Sequence, residues 1–130
     1  MILAILDDLL FTSKIRATAA QAGVPLMFAR TIDAALEQLR ATRPSLVMLD
    51  LDNPRIDALR IAAELRESRL SGVSSVAFVS HVRTDLIQQA RDAGIGEVLP
   101  RSAFVTRLPE IFARHQPPAG GDAGATRSPE

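Results

Sequence analysis

The 130-residue chain contains no cysteine, which excludes disulfide frameworks, thiolate zinc sites and cysteine nucleophiles together. It also lacks an excess of either charge. Fifteen basic side chains stand against fifteen acidic ones, so the basic surplus of a dedicated nucleic-acid binder is missing. No apolar run approaches the roughly 18–20 residues of a membrane span. The opening run Met1–Leu6 is cut short by Asp7-Asp8 and carries no basic leader, so it is not patterned as a signal peptide. Lysine is nearly absent as well: Lys14 is the single one. A soluble, cytoplasmic, single domain is the expectation, because domains typically occupy roughly 100–200 residues. A chain of this size buries on the order of two-thirds of its unfolded surface and needs no staples.

The stretch Gln116–Glu130 has six Pro or Gly among its fifteen residues and no large apolar side chain. It cannot bury enough surface to offset its ordering entropy, so a disordered tail is expected there, after a folded part over residues 1–115. Within the folded part, short apolar runs alternate with longer amphipathic segments. The runs are Ile2–Leu6, Val24–Ala29, Leu46–Leu49, Val76–Val79 and the weaker Val98-Leu99. Runs that are apolar at every position suit strands buried on both faces, as in parallel sheets.

Between the runs lie helical patterns. The first pairs Phe11, Ile15, Ala19 and Ala22 and closes at Gly23; the second uses Ile32, Ala35, Leu36 and Leu39, with Thr31 as N-cap. A third uses Leu59, Ala62, Ala63 and Leu65, and a fourth Leu86, Ile87 and Ala90, ending at Gly94. The last uses Leu108, Ile111 and Phe112, where Pro109 is tolerable only in the first turn. Strand and helix alternating five times predicts an α/β domain, doubly wound around a five-stranded parallel sheet.

In such sheets, ligands bind beyond the carboxyl ends of the strands. Asp7 and Asp8 follow the first run, Asp50 the third, Ser80-His81 the fourth and Arg101-Ser102 the fifth. Three carboxylates from neighbouring strands need a counter-charge, and hard oxygen ligands suit Mg²⁺ bound weakly. A hydroxyl at Ser80 and a cation at Arg101 border the same pocket. Together these groups could handle a phosphoryl group, with a carboxylate as nucleophile.

The stretches ILAILDD, LVMLDLDNPRIDA, VAFVSH and GEVLPRSAF, in this order and spacing, resemble the receiver domains of response regulators in two-component signalling. The resemblance covers essentially all of residues 1–115. It implies the flavodoxin-like receiver fold with strand order 2-1-3-4-5. It also implies that Asp50 is the phosphoacceptor, that Asp7 and Asp8 hold Mg²⁺ together with Asp50, and that the backbone carbonyl of Asp52 completes the metal site. Ser80 falls at the switch hydroxyl and Pro54 at the proline of the loop after the acceptor strand. A histidine kinase or phosphotransfer protein would donate the phosphoryl group. Output would pass by protein contact, to a downstream protein or a second copy, through the face of the fourth helix, fifth strand and fifth helix, with no direct nucleic-acid or membrane contact.

The departures carry information too. The lysine usual after the fifth strand is Arg101, whose planar fork is not equivalent to a compact ammonium. The aromatic switch position is Val98, which packs but has no ring to move. His81 stands where a small residue is usual and narrows the mouth of the pocket. The proline after the lysine is Ser102. These changes predict weakened coupling between Asp50 and the output face. The alternative is a phosphorylation-independent pseudo-receiver, a docking or dimerisation module. A remoter one is a phosphatase of the haloacid-dehalogenase type, since VMLDLDNP resembles its Asp-x-Asp motif, with Asp50 as nucleophile and Asp52 as general acid. Those enzymes want a downstream lysine, and none follows Lys14. A flavodoxin-like cofactor binder fits worse, because Asp7–Ser13 offers acids where a flavin phosphate needs donors.

Overall fold

The side chains of Ile2, Leu3, Ala4, Ile5 and Leu6 are all fully buried, which only a central strand covered on both faces allows. A computed structural model describes residues 1–67, 72–80 and 83–115. In chain order the elements are β1 (Ile2–Ile5), α1 (Leu9–Ala22), β2 (Leu26–Ala29), α2 (Ile32–Thr42), β3 (Leu46–Asp50), α3 (Ala58–Glu67), β4 (Ser74–Val79), α4 (Thr84–Asp92), β5 (Glu97–Pro100) and α5 (Arg101–Arg114). The strands form one sheet in the order β2-β1-β3-β4-β5, as expected. Every pairing among them is parallel. The expectations for His81 and for a tail at 116–130 lie outside the described residues.

The two-residue period of the strands sorts the core into two halves. Leu3, Ile5, Val47, Leu49 and Ala77 pack with Leu36 and Leu39 of α2, Ile61 of α3 and Ala90 of α4. Ile2, Ala4, Met48, Val76 and Phe78 pack on the other face with Phe11 and Ile15 of α1 and Phe104, Leu108 and Phe112 of α5. Thus α1 and α5 share one face and α2, α3 and α4 the other.

Local signals place both ends of α1 and the start of α2. Asp8 caps α1 by accepting from the Phe11 N–H at 3.1 Å. Gly23 ends that helix in the left-handed region at φ 69°, where glycine avoids the Cβ clash of other residues. Thr31 caps α2, accepting from the Ala34 N–H at 3.1 Å.

Two expectations need correction. In α3 the buried side chains are Ala58, Ile61 and Ala62, whereas Leu59, assigned to the core face from the sequence, is exposed. Positions 58, 61, 62 and 65 share one helical face, and residue 59 is turned away from it. Pro109 lies well inside α5 rather than in a first turn, because the helix begins directly after β5. Proline removes the N–H that would bond the Val105 carbonyl. Pro109 is exposed and Val105 only partly buried, so water can take that donor's place.

Candidate functional site

Register decides which side chains meet beyond the carboxyl ends of the strands. Asp50, the last residue of β3, pairs with Phe78 of β4. Phe78 belongs to the face covered by α1 and α5. The N-termini of those two helices supply Asp8, as the cap of α1, and Arg101, as the first residue of α5. Asp50 is therefore surrounded by groups from the helix ends that follow β1 and β5.

Asp50 is buried at 4% exposure. Its Oδ1 accepts the Asp52 N–H at 2.9 Å and lies 3.9 Å from Nη2 of Arg101. Burial raises the Asp50 pKa above its ordinary value. The Asp52 N–H and the Arg101 charge oppose that rise, while the nearby charges of Asp52 and Asp7 add to it. Ionised Asp50 is thus a cost to the fold. That cost is present above the raised pKa and is relieved as pH falls through it toward the ordinary carboxylate value. In metal-free buffer at pH 7, Asp50→Asn should therefore stabilise the chain. Denaturant midpoints should show the gain closing as pH falls across that interval, and a gain that grew on acidification would contradict this assignment.

Arg101 organises the rest. Its Nη1 is 3.5 Å from Oδ2 of Asp8, and its Nη2 is 3.3 Å from Oδ2 of Asp52 as well as facing Asp50. The guanidinium carbon sits 4.5 Å from the Phe11 ring centroid and 5.3 Å from that of Phe78, a geometry attractive to a cation over an aromatic face. Its Nε is buried without a partner. Asp52 also accepts the Ser80 N–H at 2.8 Å. Asp7 pairs with Arg55 at 2.8 Å.

Asp8, Asp50, Asp52, Ser80 and Arg101 are therefore brought together, while Asp7 is engaged by Arg55. Ser80 contributes its backbone N–H to the cluster rather than the hydroxyl singled out from the sequence. Pro54 is exposed, on the loop between β3 and α3. Val98 is buried among the side chains under α2, α3 and α4, on the face of the sheet away from α1 and α5. Two contributors were not legible in the sequence, the Phe11 and Phe78 rings beneath Arg101. The Asp52 carboxylate was marked there by the Asp-x-Asp spacing, as a general acid and not as a partner of Arg101. Nothing local marks the rings, since α1 and β4 bring them together only through the sheet register.

Oxygen donors of this kind suit Mg²⁺ in chemistry. The arrangement does not. Asp7 is tied to Arg55, Asp8 is divided between the Phe11 N–H and Arg101, and Asp50 and Asp52 face the same guanidinium. Among the described residues, no three acidic or histidine side chains are grouped to hold a metal. Asp8, Asp50 and Asp52 face the Arg101 side-chain cation, while Asp7, whose charge is felt at Asp50, pairs with Arg55.

A cavity of about 390 Å³ lies at the opposite, amino end of the strands, bordered by Ser75, Glu97, Arg114 and His115. Burial lowers the His115 pKa, and the Arg114 and N-terminal charges lower it further. No helix among the described residues is long and apolar enough to cross a membrane.

No protein-family model matches the chain. Over 92 residues it is 35% identical to the transcriptional activator protein ExaE of Pseudomonas putida, across 71% of this chain and 42% of that protein. The chain thus spans less than half the length of that curated relative. Among solved structures, a response regulator from Hahella chejuensis matches with a TM-score of 0.77 at 22% identity, over 86% of this chain and 91% of the other. The signal receiver domain of a response regulator from Bermanella marisrubri matches with a TM-score of 0.73 at 22% identity, over 88% and 95%. The phosphorylated cyanobacterial phytochrome response regulator RcpA gives 0.72 at 24% identity, over 87% and 88%.

Proposed function

We propose, from the premise that the chain has the fold of response-regulator receiver domains, that it is a protein-contact module of two-component signalling whose working surface is set without phosphorylation. One observation carries the reading: the Arg101 guanidinium already spans Asp8, Asp50 and Asp52 in the resting domain. In a responsive receiver, phosphorylation of the acceptor must create a difference that the output face can sense. A ligand shifts a conformational equilibrium only by its differential interaction with the two states. Here the charge beside Asp50 is in place beforehand, and Val98 has no ring to exchange between buried and exposed positions.

On this reading the output face is α4–β5–α5, and four charges of its β5 and α5 are paired among themselves. Arg107 contacts Glu97 at 3.1 Å and Glu110 at 3.5 Å; Arg114 reaches Glu97 at 3.9 Å and Glu110 at 3.8 Å. A network of this kind holds side-chain positions better than isolated surface pairs do. Its partners on this reading are a histidine kinase or phosphotransfer protein, a downstream protein or a second copy of the chain. Binding to such a partner, and self-association, test the proposal. Asp50→Asn should leave the dissociation constant within about threefold, and Arg107→Glu should weaken it tenfold or more, about 1.4 kcal/mol. A tenfold loss in Asp50→Asn with unchanged binding in Arg107→Glu would sink it.

A second reading keeps Asp50 as a phosphoacceptor, with Ser80 and Arg101 beside it and Mg²⁺ held by Asp7, Asp8, Asp50 and the Asp52 carbonyl. The position of Asp50, at the end of the third strand and next to Ser80 and Arg101, favours it. It requires a carboxylate arrangement different from the present one. Phosphoryl transfer from a kinase in the presence of Mg²⁺, abolished by Asp50→Asn, would support it over the first.

A further inference from the structure

We propose that Arg101 is the resident cation of the acidic site, holding the carboxylate oxygens that a divalent cation would otherwise use and so competing with metal for them. This rests on the receiver reading only for what the site is for; the competition itself follows from contacts. Three carboxylates on two strand ends would repel one another without a positive charge between them. The guanidinium supplies it, with Nη1 toward Asp8 and Nη2 toward both Asp50 and Asp52.

Its place is fixed from below as well as from the sides. The Phe11 and Phe78 rings lie under the guanidinium carbon at 4.5 Å and 5.3 Å. Phe78 in turn stacks on Phe104 at 4.6 Å, inside the core. The chain carries Arg101 at the first position of α5, where the unpaired N–H groups of the helix end add positive potential of their own. An ammonium in the same position lacks both the fork and the flat face that this seat uses.

Mg²⁺ demands near-ideal octahedral geometry, with oxygens at about 2.0–2.1 Å. An ion held by Asp8 and Asp50 would have to displace the guanidinium from the carboxylate oxygens it faces, and would sit beside a positive charge. Arg101 thus both neutralises the site and opposes metal entry, where a site built for Mg²⁺ would leave its acids free.

The test is metal affinity, read by calorimetry and by the ¹⁵N amide shifts of Asp52 and Ser80 during Mg²⁺ titration. Arg101→Met keeps an apolar stem over the two rings and removes the charge. It should bind Mg²⁺ at least tenfold more tightly than the wild type, a difference of about 1.4 kcal/mol, and adding Asp50→Asn should abolish the gain. Arg101→Lys should fall between the two. In the wild type, whose folding is not in question, Mg²⁺ should leave the Arg101 Nε–H resonance unmoved at concentrations that saturate Arg101→Met. Should Arg101→Met fail to fold, the Arg101→Lys comparison and the wild-type titration still decide. Equal affinity in wild type and variants, or saturable wild-type binding that leaves the Arg101 resonance in place, overturns the proposal. The readout does not involve the α4–β5–α5 face, so it can fail while the proposed function stands, and the reverse.

Discussion

Phe104→Ala is expected to lower the unfolding free energy by about 4 kcal/mol, since truncating a buried phenylalanine typically costs 3–5. Phe104 is fully buried at the centre of the half-core under α1 and α5. Its ring stacks on Phe78 at 4.6 Å and lies 5.9 Å from Phe11. The three rings are held by three different elements, so none can shift to fill the space without moving a helix or the sheet. Against the 5–15 kcal/mol that usually holds a domain together, this loss is large. Chemical denaturation should show it as a fall in midpoint with little change in slope. The effect also reaches the site, because Phe78 and Phe11 form the seat of Arg101. A loss below about 1 kcal/mol would mean the half-core is not packed as described.

The second large effect is expected at Arg101 itself. Arg101→Ala leaves Asp8, Asp50 and Asp52 facing one another with their shared cation gone. Removing one partner of a fully buried ion pair costs about 3–5 kcal/mol. Here the arginine side chain is 27% exposed and that of Asp8 43% exposed, so water screens part of the loss and about 2 kcal/mol is the expected figure. Acidification should shrink the deficit: Asp50 in particular takes up a proton more readily than an ordinary carboxylate because it is buried. Unfolding free energies of variant and wild type at pH 7 and pH 5 give the comparison. A deficit that is constant with pH would show that the lost packing on Phe11 and Phe78, and not the lost charge, is what matters.

The sheet was legible in the sequence because its inner strands are buried on both faces. Ile2–Leu6 and Leu46–Leu49 could afford no polar residue, and that continuity is visible in a single pass. Thr31 and Gly23 marked helix ends through chemistry local to each end. The site was legible as positions: Asp8, Asp50, Ser80 and Arg101 do arrive at the same end of the sheet, because parallel strands deliver whatever follows them there. What these residues do to each other was not legible. Whether Asp8 meets a metal or a guanidinium depends on how far the Arg101 side chain reaches, and that in turn depends on rings contributed by α1 and β4. The Leu59 and Ile61 exchange in α3 has a humbler cause. Several apolar residues in a row admit more than one helical face, and only packing selects among them.

The central claim is that the state of Asp50 and the α4–β5–α5 face are nearly uncoupled, and a phosphoryl mimic tests it most directly. Beryllofluoride with Mg²⁺ is added to the ¹⁵N-labelled chain while amide shifts are followed at the site, on Asp52 and Ser80, and on the face, on Val98, Leu99, Arg107 and Arg114. Any response is expected to stay at the site, with the face amides keeping their resting positions. In Arg101→Lys with Val98→Tyr, the face should begin to move. Face amides of the wild type that shift together with those of the site, along the same titration, would contradict the account.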